Sequence, residues 1–194
     1  MTDYGRVPTD GKITIASLEK GYETLIVTAQ FNPKELQIDR TVPWSPTGEA
    51  NKANAEGGGG GGGEPKGGVH LEFTGAQGRT LSVELLFDGY ETTAGKGFTV
   101  EVADEVANLE KLASVIDPGS DKEDDRRPHW CIAAWGTSLR AFKCVIESLS
   151  TKYTMFDATG KPLRATCTVK LKEADSVKAK SAEAKPGAKP GAKK

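Results

Sequence analysis

The stretch from Leu163 to Lys172 constrains the fold more than any other part of the chain. Leu163, Ala165, Cys167, Val169 and Leu171 alternate strictly with Arg164, Thr166, Thr168, Lys170 and Lys172. Successive side chains of a strand point to opposite faces, so this period of two predicts a strand with one face in a core. The other face then meets water or a partner, as in an antiparallel sheet. Arg79–Asp88 repeats the pattern. Leu81, Val83, Leu85 and Phe87 fall on one side, and Thr80, Ser82, Glu84 and Asp88 on the other. Leu86 is an extra apolar residue on the outer side, expected to be covered by a helix or a neighbouring subunit.

Further strands are expected at Tyr22–Phe31, at Leu36–Val42, at Val69–Phe73 and at His129–Trp135, then at Leu139–Leu149 and Tyr153–Phe156. Pro33 lacks a backbone donor and restricts Asn32, so Phe31-Asn32-Pro33 breaks the first of these. In the second, Leu36, Ile38 and Val42 alternate with Gln37, Asp39 and Thr41, and Arg40 lies on the apolar side. A charge there reaches a carboxylate or marks an interface, and Trp44 follows where the segment closes. One helix is expected over Val102–Ile116. Val102, Val106, Leu109, Ala113 and Ile116 recur at three- and four-residue steps, and Asp117-Pro118-Gly119 stops the run. Gly136-Thr137-Ser138 reads as a hairpin turn, and Asp157-Ala158-Thr159-Gly160 carries turn chemistry. Seven or eight strands with one helix make a mostly β domain, closed as a barrel or folded as a sandwich, with the barrel slightly favoured.

Residues 45–68 stand apart. Gly57–Gly63 is an unbroken run of glycine, which loses the most backbone entropy on ordering and brings no side chain to offset it. The Gly-x-x-x-x-Gly-Lys-Ser/Thr order of a phosphate loop is absent, so the segment is expected to be a flexible insertion. Residues 1–11 read as an N-terminal arm. From Ser176 onward six lysines face the single Glu183, a charge of +5; taking this from the net −1 leaves −6 on residues 1–175. Residues 176–194 are expected to be a disordered basic tail and residues 12–175 the folded domain. No apolar leader opens the chain and no apolar run is long enough to cross a bilayer as a helix. Stable membrane insertion and a secretory signal are therefore not expected.

The residues suited to chemistry are scattered. His129 and Cys131 are two apart and would share a strand face, but no acid is placed beside them by local pattern, so a structural histidine is expected. Cys131, Cys144 and Cys167 are widely spaced and odd in number, which suggests buried free thiols rather than a disulfide framework or a zinc site. Asp121, Glu123, Asp124 and Asp125 lack the glycine and terminal glutamate of a calcium loop. Glu84, Asp88 and Glu147 do not stand out as a glycosidase pair. Arg164, Lys170 and Lys172 lack interleaved aromatics, so nucleic acid is not an expected partner. A carbohydrate- or peptide-binding domain would need Trp44, Trp130 and Trp135 brought together. The expectation is a protein with no enzymatic activity and no cofactor or metal.

Phe31-Asn32-Pro33, followed by Leu36-x-Ile38-x-Arg40 and Trp44, resembles the start of the tube-type domain of contractile injection systems. So do Leu85-x-Phe87, the helix, Pro128-His129, Trp135-Gly136 and Phe142 with Ile146-x-Ser148-Leu149. Tyr153-Thr154-x-Phe156, Gly160-x-Pro162-x-Arg164-Ala165 and Val169-x-Leu171-x-Glu173 complete an ordered set over residues 12–175. The resemblance implies an antiparallel β-barrel of the phage-tail tube type with one flanking helix. It also implies six-membered rings without an active site. Phe31, Asn32 and Pro33 become a structural corner, Trp135-Gly136 a turn, and Gly160, Pro162 and Arg164 the last hairpin. Arg40, Trp44, Tyr153 and Phe156 join them as candidate structural or interface residues. The implied role is a baseplate adaptor linking inner tube, spike hub and baseplate, with an inner-tube or tube-initiating subunit as the alternative. Implied partners are other copies of the chain and the inner tube, spike hub, sheath and baseplate wedge proteins. The particle is expected to assemble in the bacterial cytoplasm, with release outside the cell. Many relatives carry a LysM-type module after this domain; Lys/Ala/Pro/Gly repeats stand there instead, so that module is expected to be missing.

Overall fold

The computed structural model describes residues 11–46, 70–75, 77–90 and 101–178. The N-terminal arm apart from Gly11, most of the glycine-rich insertion and most of the basic tail lie outside the described residues. Nine strands and one α-helix are present among them: β1 Ile13–Ser17, β2 Ile26–Thr28, β3 Leu36–Asp39, β4 Trp44–Pro46, β5 Leu71–Phe73 and β6 Thr80–Asp88, then α1 Val102–Ala113, β7 Cys131–Trp135, β8 Leu139–Phe156 and β9 Pro162–Glu173. Seven of the strands form one antiparallel sheet in the order β2-β1-β7-β8-β9-β6-β3, and β4 pairs with β5 in a separate two-stranded ribbon.

The period-two stretches became the interior strands β9 and β6 of the sheet. β9 pairs along its length with β6, Leu81 opposite Leu171 and Phe87 opposite Ala165. On its other side it pairs with β8 from Cys144 opposite Glu173 to Phe156 opposite Pro162. The inward residues of both strands are buried, together with Ile13, Ile15, Val27, Ala133, Phe142 and Ile146. α1 covers this face with Val102, Val106, Leu109 and Leu112. Leu112 joins the stripe, and Ala113 packs partly buried against the same core as expected. The helix also stops earlier than expected, because Ser114 leaves helical backbone (φ −83°, ψ 159°) while its Oγ donates to the carbonyl of Glu110 at 2.6 Å. Val115 then bridges to Pro128 as an isolated β pair.

Other boundaries moved for identifiable reasons. Leu139–Leu149 and Tyr153–Phe156 are one long strand, with register shifts between Ile146 and Ser148 and again beyond Tyr153. These bulges interrupt the alternation, and the sequence reads as two strands. Tyr22–Phe31 shortens to Ile26–Thr28, and the strand expected over Leu36–Val42 ends at Asp39.

No closed barrel is found among the described residues: no ladder joins the end strands β2 and β3. The sheet is nevertheless strongly curled. Strands in a sheet lie about 4.8 Å apart, so β2 and β6 would be about 24 Å apart if the sheet were flat. Yet the side-chain amide of Gln30, two residues beyond β2, donates to the carbonyl of Asp88 at 2.9 Å and accepts from its N–H at 2.6 Å. Two residues of extended chain reach only about 7 Å. The end of β2 therefore lies beside the end of β6, and a side-chain amide takes the place of a backbone pair across the seam.

Candidate functional site

The residues with chemical potential are packed into the structure. His129 is 1% exposed. Its Nδ1 lies 2.9 Å from Ser17 Oγ, and the Tyr22 ring meets it edge-on at 4.7 Å. Burial pushes the imidazole below its ordinary pKa, with Lys111 and Arg127 adding to this and Glu19 opposing it. Glu19 is paired with Arg127 at 2.6 Å and accepts from the N–H of Trp130 at 2.9 Å. These bonds hold its carboxyl below the ordinary value although burial acts the other way. Cys131 Sγ donates to the carbonyl of His129, not to its ring, so the two do not form a nucleophile–base pair. Burial pushes the Cys131 thiol well up and the Cys144 thiol up to about 12, where the reactive thiolate is scarce. The cluster joins β1, the start of β7 and the end of α1. Sequence reasoning missed Ser17, Glu19 and Arg127, whose partners lie more than a hundred residues away.

The three tryptophans occupy separate places. Trp135 donates through its indole N–H to the carbonyl of Gly11 at 3.1 Å, and the Asn32 side chain donates to the same oxygen at 2.9 Å. Two residues of the expected corner and turn thus meet on one backbone group. Trp130 donates to the carbonyl of Ala174 at 3.0 Å. Trp44 stacks on Phe73 in the ribbon. No binding cluster of all three is formed.

Three surfaces are left open. The first is an edge. β7 pairs with β8 only from Leu139 to Cys144, so among the described residues no strand pairs with the same edge of β8 from Val145 to Phe156. Tyr153 and Phe156 sit near the end of this stretch, 40% and 56% exposed, with ring centroids 6.4 Å apart. The hairpin beyond them is built by Asp157, whose carboxylate accepts from Thr159 and Lys161 N–H, and by Gly160 at φ +87°. Pro162 lies opposite Phe156 as β9 begins.

The second surface is the ribbon. Trp44 pairs with Phe73 and Pro46 with Leu71, which puts these four on one face and Ser45 and Glu72 on the other. All six are exposed, so the apolar face is uncovered among the described residues. Val42 and the exposed Arg40 precede it. The third is a groove of about 500 Å3 on the outer side of the sheet, lined by Phe31, Asn32, Pro33, Lys34, Glu35, Glu84, Leu86 and Thr166. Leu86 is thus covered by neither helix nor strand. Beside the groove, Arg164 Nε donates to Asp88 Oδ2 at 2.9 Å, and Asp88 is 2% exposed.

No helix among the described residues is long and apolar enough to cross a membrane. No curated protein matches the chain in sequence. A family model described as contractile injection system tube protein matches residues 11–182. That span takes in the whole sheet, the helix and all three open surfaces, and the chain belongs to the contractile injection system tube protein family.

Proposed function

We propose that the chain is a non-catalytic structural subunit that closes into a six-membered ring at the junction of inner tube and baseplate. One observation carries this reading: the free edge of β8 over Val145–Phe156. A row of unpaired backbone N–H and C=O groups on a long strand is a template for another chain. A closed ring uses that edge in every copy, and many moderate interfaces add up around it. The curled sheet, with its Gln30 seam, then serves as a barrel-like wall. The two ends of the sheet differ, one carrying the apolar ribbon and the other the Asp157–Gly160 turn. Unequal ends suit an adaptor between unlike layers.

A second reading, an inner-tube subunit, is favoured by the description of the matching family. Mass measurement of the full chain, alone and with inner-tube and spike-hub proteins, separates the two. Amide exchange over Val145–Phe156 belongs in the same experiment. The adaptor reading expects one ring, slowed exchange on that edge, and retention between the tube and hub proteins. Long tubes of this chain alone would favour the second reading. A chain that stays monomeric with and without neighbours would refute both.

A further inference from the structure

The ribbon and the groove lie on one molecule and do not meet. Trp44 and Phe73 are 55% and 50% exposed although the groove is lined by Phe31 and Leu86, themselves more than a third exposed. An isolated two-stranded ribbon is marginal in water, and an exposed apolar face such as this one, uncovered among the described residues, marks an interaction site. The register shows why the chain's own groove is not that partner. The ribbon follows β3 beyond Asp39, opposite Thr80, whereas the groove lies further along β6 at Glu84 and Leu86. At about 3.4 Å per residue these are separated by roughly 14–20 Å along the strand.

We propose that the β4–β5 ribbon of one copy seats its Trp44–Phe73 face in the Phe31–Leu86 groove of the next copy. This rests on the ring-subunit reading and names a contact that reading leaves open. The two surfaces complement each other in kind. Paired aromatic rings bury a large area without long flexible side chains to order. The groove offers Phe31, Pro33 and Leu86 as its apolar lining. Glu35 and Glu84 line it too and outnumber the one cation there, Lys34, while Arg40 stands at the base of the ribbon. The contact joins two different patches, so each copy gives a ribbon and receives one, and the interaction propagates around a ring or along a stack instead of ending at a dimer.

The test mixes two full-length variants, Phe73→Cys and Leu86→Cys, with the unmodified chain as control. A small-molecule disulfide serves as oxidant: it accepts two electrons, is released as two thiols, and leaves one new S–S bond between the variants. Cys131, Cys144 and Cys167 are buried and stay silent. Cross-linked dimer is expected in the mixture, with none from either variant alone. A blue shift of the Trp44 emission on assembly of the unmodified chain, isolated by difference against Trp44→Phe, is expected alongside it. Rings of the correct mass without cross-link and without the shift would overturn this contact and leave the ring reading standing. With inner-tube and spike-hub proteins added to the mixture, a cross-link from Phe73→Cys to one of them in place of Leu86→Cys would likewise overturn it. Failure of the unmodified chain to assemble under any of these conditions would sink both.

Discussion

His129 is enclosed by Ser17, Tyr22, Glu19, Arg127 and Lys111, and its proton affinity is set by that enclosure. Its pKa in the folded chain lies below the ordinary 6.5, so as pH falls through 6.5 the unfolded chain takes up the proton first. Stability contributed by the neutral ring is therefore complete above that value and is lost on acidification, with a slope of at most about 1.4 kcal/mol per pH unit for one proton. Glu19 acts lower down: its contribution is present above its ordinary 4.5 and disappears as pH falls further. Denaturant midpoints at pH 7.5 and 5.5 for the unmodified chain and His129→Gln would show the difference; equal pH slopes would refute the assignment. Arg164 is a second case. Its partner Asp88 is nearly inaccessible to water while Arg164 itself is one-third exposed. Arg164→Ala is expected to cost about 2 kcal/mol in urea unfolding, less than a fully enclosed pair because water reaches the arginine side.

At the scale of elements, the seam and the helix make the sharpest predictions. Gln30→Leu leaves the N–H and C=O of Asp88 without the amide that spans the seam, at a cost of about 2 kcal/mol. Faster exchange of β2 amides in that variant would show that the edge strand is what it releases. Leu109→Ala removes a side chain that is 0% exposed and is expected to cost about 2–5 kcal/mol in the same unfolding assay. The two elements were not equally legible. The stripe of α1 and the alternation of β6 and β9 were readable because one face of each is wet and the other dry. β1 was not, because it is only five residues long and buries its polar Thr14 and Ser17 as fully as its apolar residues, so no wet face marks it. β8 was misread as two strands because its bulges shift the phase midway. The seam was invisible for a different reason: a glutamine just beyond a short strand carries no periodic signal, and its partner lies 58 residues away.

For the whole molecule, the residues that hold the fold are not those of the proposed contact. The core cluster contains neither Trp44 nor Phe73, whereas the ribbon face depends on both. Trp44→Ser with Phe73→Ser is accordingly expected to leave the unfolding midpoint of the lone chain within about 0.5 kcal/mol of the parent. The same double variant should no longer assemble. Parallel calorimetry and mass measurement would check the separation, and a large loss of stability in the lone chain would contradict it. The candidate surfaces were partly legible. Arg40 and Leu86 stood out as residues on the wrong side of an alternation, and Trp44 as an aromatic at the close of its segment, but their relation to Phe31 and Phe73 required the fold.

The amide of Gln30 has a geometric consequence. Six backbone ladders govern how each strand follows its neighbour, and among the described residues none governs how tightly the roll draws shut. How closely the ends of β2 and β6 approach thus depends on the length of one side chain as well as on the packing of α1 between them. Gln30→Asn, shorter by a single methylene, would reach both backbone groups of Asp88 only if those two ends moved closer together.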